Sequence, residues 1–72
     1  MDLDQLHTFL EIVRLKSFSK AAQQNLITQS AVSQQLRALE QRYGQTLIER
    51  GHPKGAVPTA PGQIFYAESK EL

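Results

Sequence analysis

Thr28-Gln29-Ser30-Ala31-Val32-Ser33-Gln34-Gln35-Leu36-Arg37-Ala38-Leu39-Glu40-Gln41-Arg42-Tyr43-Gly44 is the stretch from which the rest of the chain is read. Val32, Leu36, Leu39 and Tyr43 recur every three or four residues and form one apolar stripe of an α-helix. At about 100° per residue, Ser30, Ser33, Gln34, Arg37 and Gln41 fall on the opposite side, with Glu40 and Arg42 on the flanks. That outward side carries one charge, Arg37, among short or planar hydrogen-bonding side chains. Thr28 is placed to cap the first turn. Ile27 at N′ and Val32 at N4 occupy the positions of a hydrophobic staple, while Ala31 at N3 leaves the capping box incomplete. Gly44 stops the helix as a left-handed C′ residue. The pattern predicts a helix from Gln29 to Tyr43.

Upstream, Leu3, Leu6, Phe9, Leu10 and Val13 predict a helix from Asp4 to Leu15, capped by Asp2 or Asp4. Lys16-Ser17-Phe18-Ser19 breaks the period. Ser19 is read as the cap of a second helix from Lys20 to Asn25, whose Ala21 and Ala22 allow a neighbouring helix to approach closely. Phe18 and Leu26 are expected in the core, and Asn25-Leu26-Ile27-Thr28 reads as a tight turn. Downstream, Leu47-Ile48-Glu49-Arg50 reads as a short strand and Gly51-His52-Pro53-Lys54-Gly55 as a loop. Ala56-Val57-Pro58 returns as a second, edge strand, because Pro58 has no N–H to donate. Thr59 caps a fourth helix with Pro61 and Gly62 near its start. That helix is expected to run to the last residue.

Composition narrows the function. The chain has 72 residues and a formal net charge of only +1, so overall charge names no partner. It has no Cys and only His7 and His52 as histidines, which excludes a disulfide framework, a thiol nucleophile and a histidine-rich metal site. His7, without partners nearby in the sequence, reads as a surface residue or a satisfied histidine rather than a metal ligand. No His-acid-nucleophile grouping emerges, and an enzyme is not expected. No apolar run approaches the roughly 18 residues of a membrane span, so no membrane partner is expected and the cytoplasm is the expected location. Charge is uneven, however. Ile12 to Leu39 holds Arg14, Lys16, Lys20 and Arg37 without an acid, and Arg50 to Ala67 holds Arg50, His52 and Lys54 without an acid. Two such stretches on one small domain can form one positive, nucleic-acid-facing surface.

Three helices, a two-stranded β-hairpin wing and a fourth, linker helix describe a mainly α winged helix-turn-helix. A B-DNA major groove, about 12 Å wide, accepts one helix and presents base edges that Gln, Ser and Arg can read. The sequence resembles the N-terminal DNA-binding domain of LysR-type transcriptional regulators. The residues that carry the resemblance are Leu6 and Phe9, Ser17-Phe18-Ser19-Lys20-Ala21-Ala22, and Leu26 with Thr28 to Leu36. Leu39-Glu40, Gly44, Leu47, Glu49, Arg50 and Thr59-Ala60-Pro61-Gly62 complete the set. It departs from the family pattern at Ser30, usually Pro, at Gln34, where Arg is common, and at Ile48, usually Phe. Pro58 and Pro61 are also uncommon there.

The resemblance implies a DNA-binding domain over residues 1–58 and the start of a linker and dimerisation helix over 59–72, with Ile64, Phe65, Glu68 and Leu72 on its apolar and pairing positions. It implies double-stranded DNA with a pseudo-palindromic site as partner, a homodimer, and tetramers in the full-length protein. A domain sensing a small-molecule effector is expected beyond residue 72, and no cofactor in the domain itself. Gln29, Ser30, Ser33, Gln34 and Arg37 are expected to meet bases or the groove, Arg37 first because its fork reaches guanine or a phosphate. Ser17, Ser19, Lys20 and Thr28 are the expected phosphate contacts, Thr28 chiefly as a cap. In the wing, Arg50, His52 and Lys54 are the expected contacts with backbone or minor groove. Arg50 has an equal second reading, pairing with Glu40 or Glu49 to hold the wing. The alternative for the whole domain is a winged helix that serves protein assembly without DNA. Such a module would turn apolar or acidic residues outward on its third helix.

Overall fold

The computed structural model describes residues 2–71. In chain order it contains α1 (Leu3–Leu15), α2 (Phe18–Asn25), α3 (Gln29–Tyr43), β1 (Ile48–His52), β2 (Gly55–Pro58) and α4 (Ala60–Ser69). Each helix start has a side-chain cap. Asp2 Oδ1 accepts the N–H of Asp4 at 2.9 Å, Thr28 Oγ1 accepts that of Ala31 at 3.0 Å, and Thr59 Oγ1 accepts that of Gly62 at 3.1 Å. The α3 boundaries, its Thr28 cap and the left-handed Gly44 (φ 88°) agree with the periodicity.

Five local expectations are corrected. The cap of α2 is Ser17, not Ser19. Lys16 turns left-handed (φ 57°) and ends α1, which leaves Ser17 extended with its Oγ 3.0 Å from the Lys20 N–H. Ser19 therefore lies inside the first turn. Leu26 is 91% exposed rather than in the core. It takes the left-handed conformation that caps α2 (φ 58°), and this backbone turns its side chain outward. Leu3 is 73% exposed, and the buried stripe of α1 is Leu6, Phe9 and Ile12, with Leu10 and Val13 packed partly against the core. The strands also run further than the Gly and Pro content suggested. Gly51 and Gly55 belong to them, at φ 76° and 98°. Only Pro53-Lys54 turns the hairpin, and a register shift between Glu49 and His52 marks a bulge. Finally, α4 ends at Ser69 instead of continuing to the last residue.

One core serves all elements. Phe9, Ile12, Val32, Leu36, Leu47 and Ile48 are its largest fully buried side chains, joined by Ala21, Ala22, Ala56 and Phe65. Each large side chain so buried contributes about 1.5–3 kcal/mol of transfer free energy. Ala21 and Ala22 let α2 lie close to its neighbours, and Phe18 packs at the margin of the core. The wing docks on α1 through the Ala56 N–H, which donates to the Lys16 carbonyl at 3.1 Å. Gly55 faces the same carbonyl so closely that a Cβ there would stand 2.5 Å from it. At the other end, the Thr59 N–H donates to the Leu47 carbonyl at 3.0 Å, and a Cβ on Gly62 would collide with that same oxygen.

Candidate nucleic-acid interface

The outward side of α3 is a row of polar side chains. Gln29, Ser30, Gln34 and Arg37 are exposed and Ser33 is half-buried. Together these five line one shallow groove on the surface. Among the described residues no hydrogen bond or ion pair engages the Arg37 guanidinium. The row is rigid because Val32, Leu36 and Leu39 on the opposite side are locked into the core.

The helix starts add to this surface. Neither α2 nor α3 has an acidic residue in its first turn, whereas Asp4 occupies that of α1. The positive ends of α2 and α3 therefore stay uncompensated and suited to phosphate oxygens. Thr28 and Ser17 accept backbone N–H groups as caps, which leaves each hydroxyl hydrogen free to donate outward. Ser19 and Lys20 are exposed beside the Ser17 cap.

The wing meets the start of α2 across a cleft lined by Lys16, Ser17, Phe18, Gly51, His52, Gly55 and Ala56. The two acid-free stretches of the sequence thus come together here. Lys16 also lines this cleft, although the sequence shows it only as one charge of an acid-free stretch. His52 Nδ1 accepts the Lys54 N–H at 3.1 Å, so in the neutral ring the proton sits on Nε2 and is available to an acceptor. Lys54 is exposed at the hairpin tip. Arg50 is engaged internally: its Nη1 lies 3.7 Å from Glu40 Oε1, and its Cζ stands 5.4 Å from the centroid of the Phe18 ring.

The remaining predicted positions separate. On α4, Ile64 is 60% exposed and Phe65 is 6% exposed. Phe65 packs inside this chain, with ring centroids 5.4 Å from Phe9 and 4.8 Å from Tyr43. Glu68 is exposed, and Leu72 lies outside the described residues. His7 is exposed with Nε2 3.2 Å from Asn25 Oδ1. The described residues contain no group of three or more His, Cys, Asp or Glu arranged to hold a metal ion, and no helix long and apolar enough to cross a membrane.

Helices α2 and α3, their tight turn and the hairpin define a winged helix-turn-helix. The family profile of the bacterial regulatory helix-turn-helix protein, lysR family, matches residues 3–63. The chain belongs to this family. It is a LysR-type helix-turn-helix DNA-binding domain, a regulatory module of transcription rather than a catalyst. It is 47% identical over 70 residues to a probable RuBisCO transcriptional regulator of Cyanidioschyzon merolae, covering 97% of this chain and 23% of that protein. It is 42% identical over 71 residues to the HTH-type transcriptional regulator HdfR of Escherichia coli, covering 96% of this chain and 25% of that protein. The chain thus spans about a quarter of the length of these curated relatives. Among solved structures, the BenM DNA-binding domain in complex with benA site 1 DNA superposes with TM-score 0.92 at 36% identity, over 100% of this chain and 80% of that one. Vibrio fischeri DarR in complex with DNA superposes with TM-score 0.93 at 30% identity, over 100% of this chain and 24% of that one.

Proposed function

We propose that α3 enters the major groove of a specific duplex, with the wing lying on the adjacent backbone or minor groove. The single observation that carries this is the exposed row Gln29, Ser30, Ser33, Gln34 and Arg37, which shares one groove and contains one unengaged cation. A helix with side chains is about 10–12 Å across, which matches the major groove. In this reading Arg37 supplies a bidentate contact, while Gln29 and Gln34 read base edges and Ser30 and Ser33 donate to base or phosphate. Ser17, Ser19, Lys20 and Thr28 hold phosphates at the helix starts, and His52 and Lys54 reach the backbone from the wing. The likeness to two proteins captured on DNA supports the docking mode.

Two copies would read a pseudo-palindromic site, one α3 per half-site, with spacing set by the dimer's symmetry. The exposed Ile64 and Glu68 of α4 are the described positions available for pairing, with Leu72 beyond them. A full-length protein with an effector-sensing domain, tetrameric and acting in the cytoplasm, completes the reading.

The test begins by selecting duplexes from a random pool with the 72-residue chain. Titration then compares the selected duplex with a scrambled one. Arg37→Ala should cost about 1–3 kcal/mol on the selected duplex and much less on the scrambled one. Equal affinities for both proteins on the selected duplex would remove Arg37 from the reading set. Lys54→Ala should weaken both duplexes alike and flatten the salt dependence by about 0.9 in log–log slope.

A further inference from the structure

Reading helix and wing are joined through one carboxylate. Glu40 lies in the last turn of α3 and its side chain is only 12% exposed. Its Oε2 accepts the N–H groups of Leu47 at 2.7 Å and Ile48 at 3.2 Å, closing the loop that leads into β1. Its Oε1 faces Arg50, further along β1, and the Arg50 guanidinium lies over the ring of Phe18, the first residue of α2. A single cation therefore touches all three parts that present side chains to the duplex: α3 through Glu40, α2 through Phe18, and the wing through its own backbone.

An ion pair of this length on a partly exposed arginine adds little to stability. Its effect is orientational. A guanidinium held between a carboxylate and an aromatic face has few rotamers left, and it ties β1 to both helices at the bulge itself, which lies between Glu49 and His52. We propose that Arg50 is a positioning residue, which acts through Glu40 and Phe18 to set the angle of the wing against α3 and does not itself contact DNA. This rests on the reading that His52 and Lys54 of the wing touch the duplex.

The experiment is a double-mutant cycle read by duplex titration over a salt series. It uses the duplex selected above and a blank wing, His52→Ala with Lys54→Ala. Arg50→Met should weaken binding by about three- to tenfold with the wing intact and by less than about twofold in the blank wing. Glu40→Gln keeps an oxygen for the Leu47 and Ile48 amides but loses the charge pair. It should weaken binding in the same wing-dependent way and be non-additive with Arg50→Met. It also carries the test alone if Arg50→Met fails to fold by circular dichroism. Three results overturn the proposal while leaving the wing reading intact. One is an equal loss for Arg50→Met in both backgrounds with the salt slope lower by about 0.9, the mark of a direct phosphate contact. Another is tighter binding by Glu40→Gln, the sign expected if an acid had been restraining a DNA-contacting arginine. The third is no effect of Arg50→Met with the wing intact. If the blank wing itself changes neither affinity nor slope, the wing reading fails and the positioning role falls with it.

Discussion

The helix α3 and the β1–β2 hairpin present neighbouring parts of one surface, yet they are held by different kinds of interaction. Every backbone bond that shapes α3 is local: a cap from Thr28, a stop at Gly44, and i to i+4 hydrogen bonds between. Its packing requires only that Val32, Leu36 and Leu39 find some apolar partner. The hairpin has two strands and a two-residue turn, which is marginal by itself. It stands because distant groups hold it: the Lys16 carbonyl, the Glu40 carboxylate and the junction of Leu47 with Thr59 and Gly62. A rod can be specified by a run of residues, whereas a wing needs an address on the rest of the fold.

The comparison can be broken most severely where both regions share support. Phe9→Ala removes a fully buried ring that also packs on Phe65. It should destabilise the whole domain by about 3–5 kcal/mol in denaturant unfolding, with helical and tertiary signals lost together. Gly62→Ala separates the two regions. Its methyl group has no room beside the Leu47 carbonyl, and a cost of about 1–3 kcal/mol is expected. Hydrogen exchange should rise first at the amides of Ile48 and Thr59, while those in the middle of α3 stay protected. Equal loss of protection in α3 would show that the wing and the rod are one cooperative unit.

Smaller changes sharpen the contrast. Leu26 gives α2 its left-handed cap at a position where an L-residue costs about 1–2 kcal/mol and glycine nothing comparable. Its side chain is almost wholly exposed. Leu26→Gly should therefore stabilise the domain by about 0.5–1 kcal/mol, read as a higher midpoint in denaturant. A lower midpoint would mean that the exposed leucine contributes packing. The smallest effect is electrostatic. Arg14, bonded to Glu11 at 2.7 Å, holds the Glu11 carboxyl below the ordinary carboxylate range. A carboxyl depressed on folding adds stability above its unfolded pKa and loses it as pH falls through the folded one. Glu11→Gln should lower stability slightly at neutral pH and leave it unchanged below the folded pKa of Glu11, so that the acid side of the profile flattens, and the effect stays small because the Arg14 side chain is exposed and screened.

Particular residues show which features were legible in the chain and why. Thr28 and Gly44 bound α3 correctly because capping is a property of adjacent residues. Ser17 and Ser19 are hard to tell apart in the sequence because both precede plausible helical residues, and only the left-handed Lys16 decides which one is extended. Leu26 departs from its expected place because an isolated leucine reads as core. Its burial depends on a backbone angle set by the α2–α3 turn. Gly51 and Gly55 read as loop in the sequence because glycine favours turns, while the observed strands use their positive φ to form the bulge and to let β2 pass the Lys16 carbonyl. Arg50 had two equal readings, and its distances to Glu40 and Phe18 express a tertiary fact that spacing along one strand does not encode.

The chain by itself determined the rods, the caps of α3 and α4 and the polar row on α3, because helix periodicity and capping act over a few residues and leave a pattern at that range. Tertiary structure alone decided where the wing sits, which basic residues face the same cleft, and that Phe65 packs inward while Arg50 turns to Glu40. Those outcomes depend on hydrogen bonds and steric limits between groups far apart in sequence, and no local pattern records them.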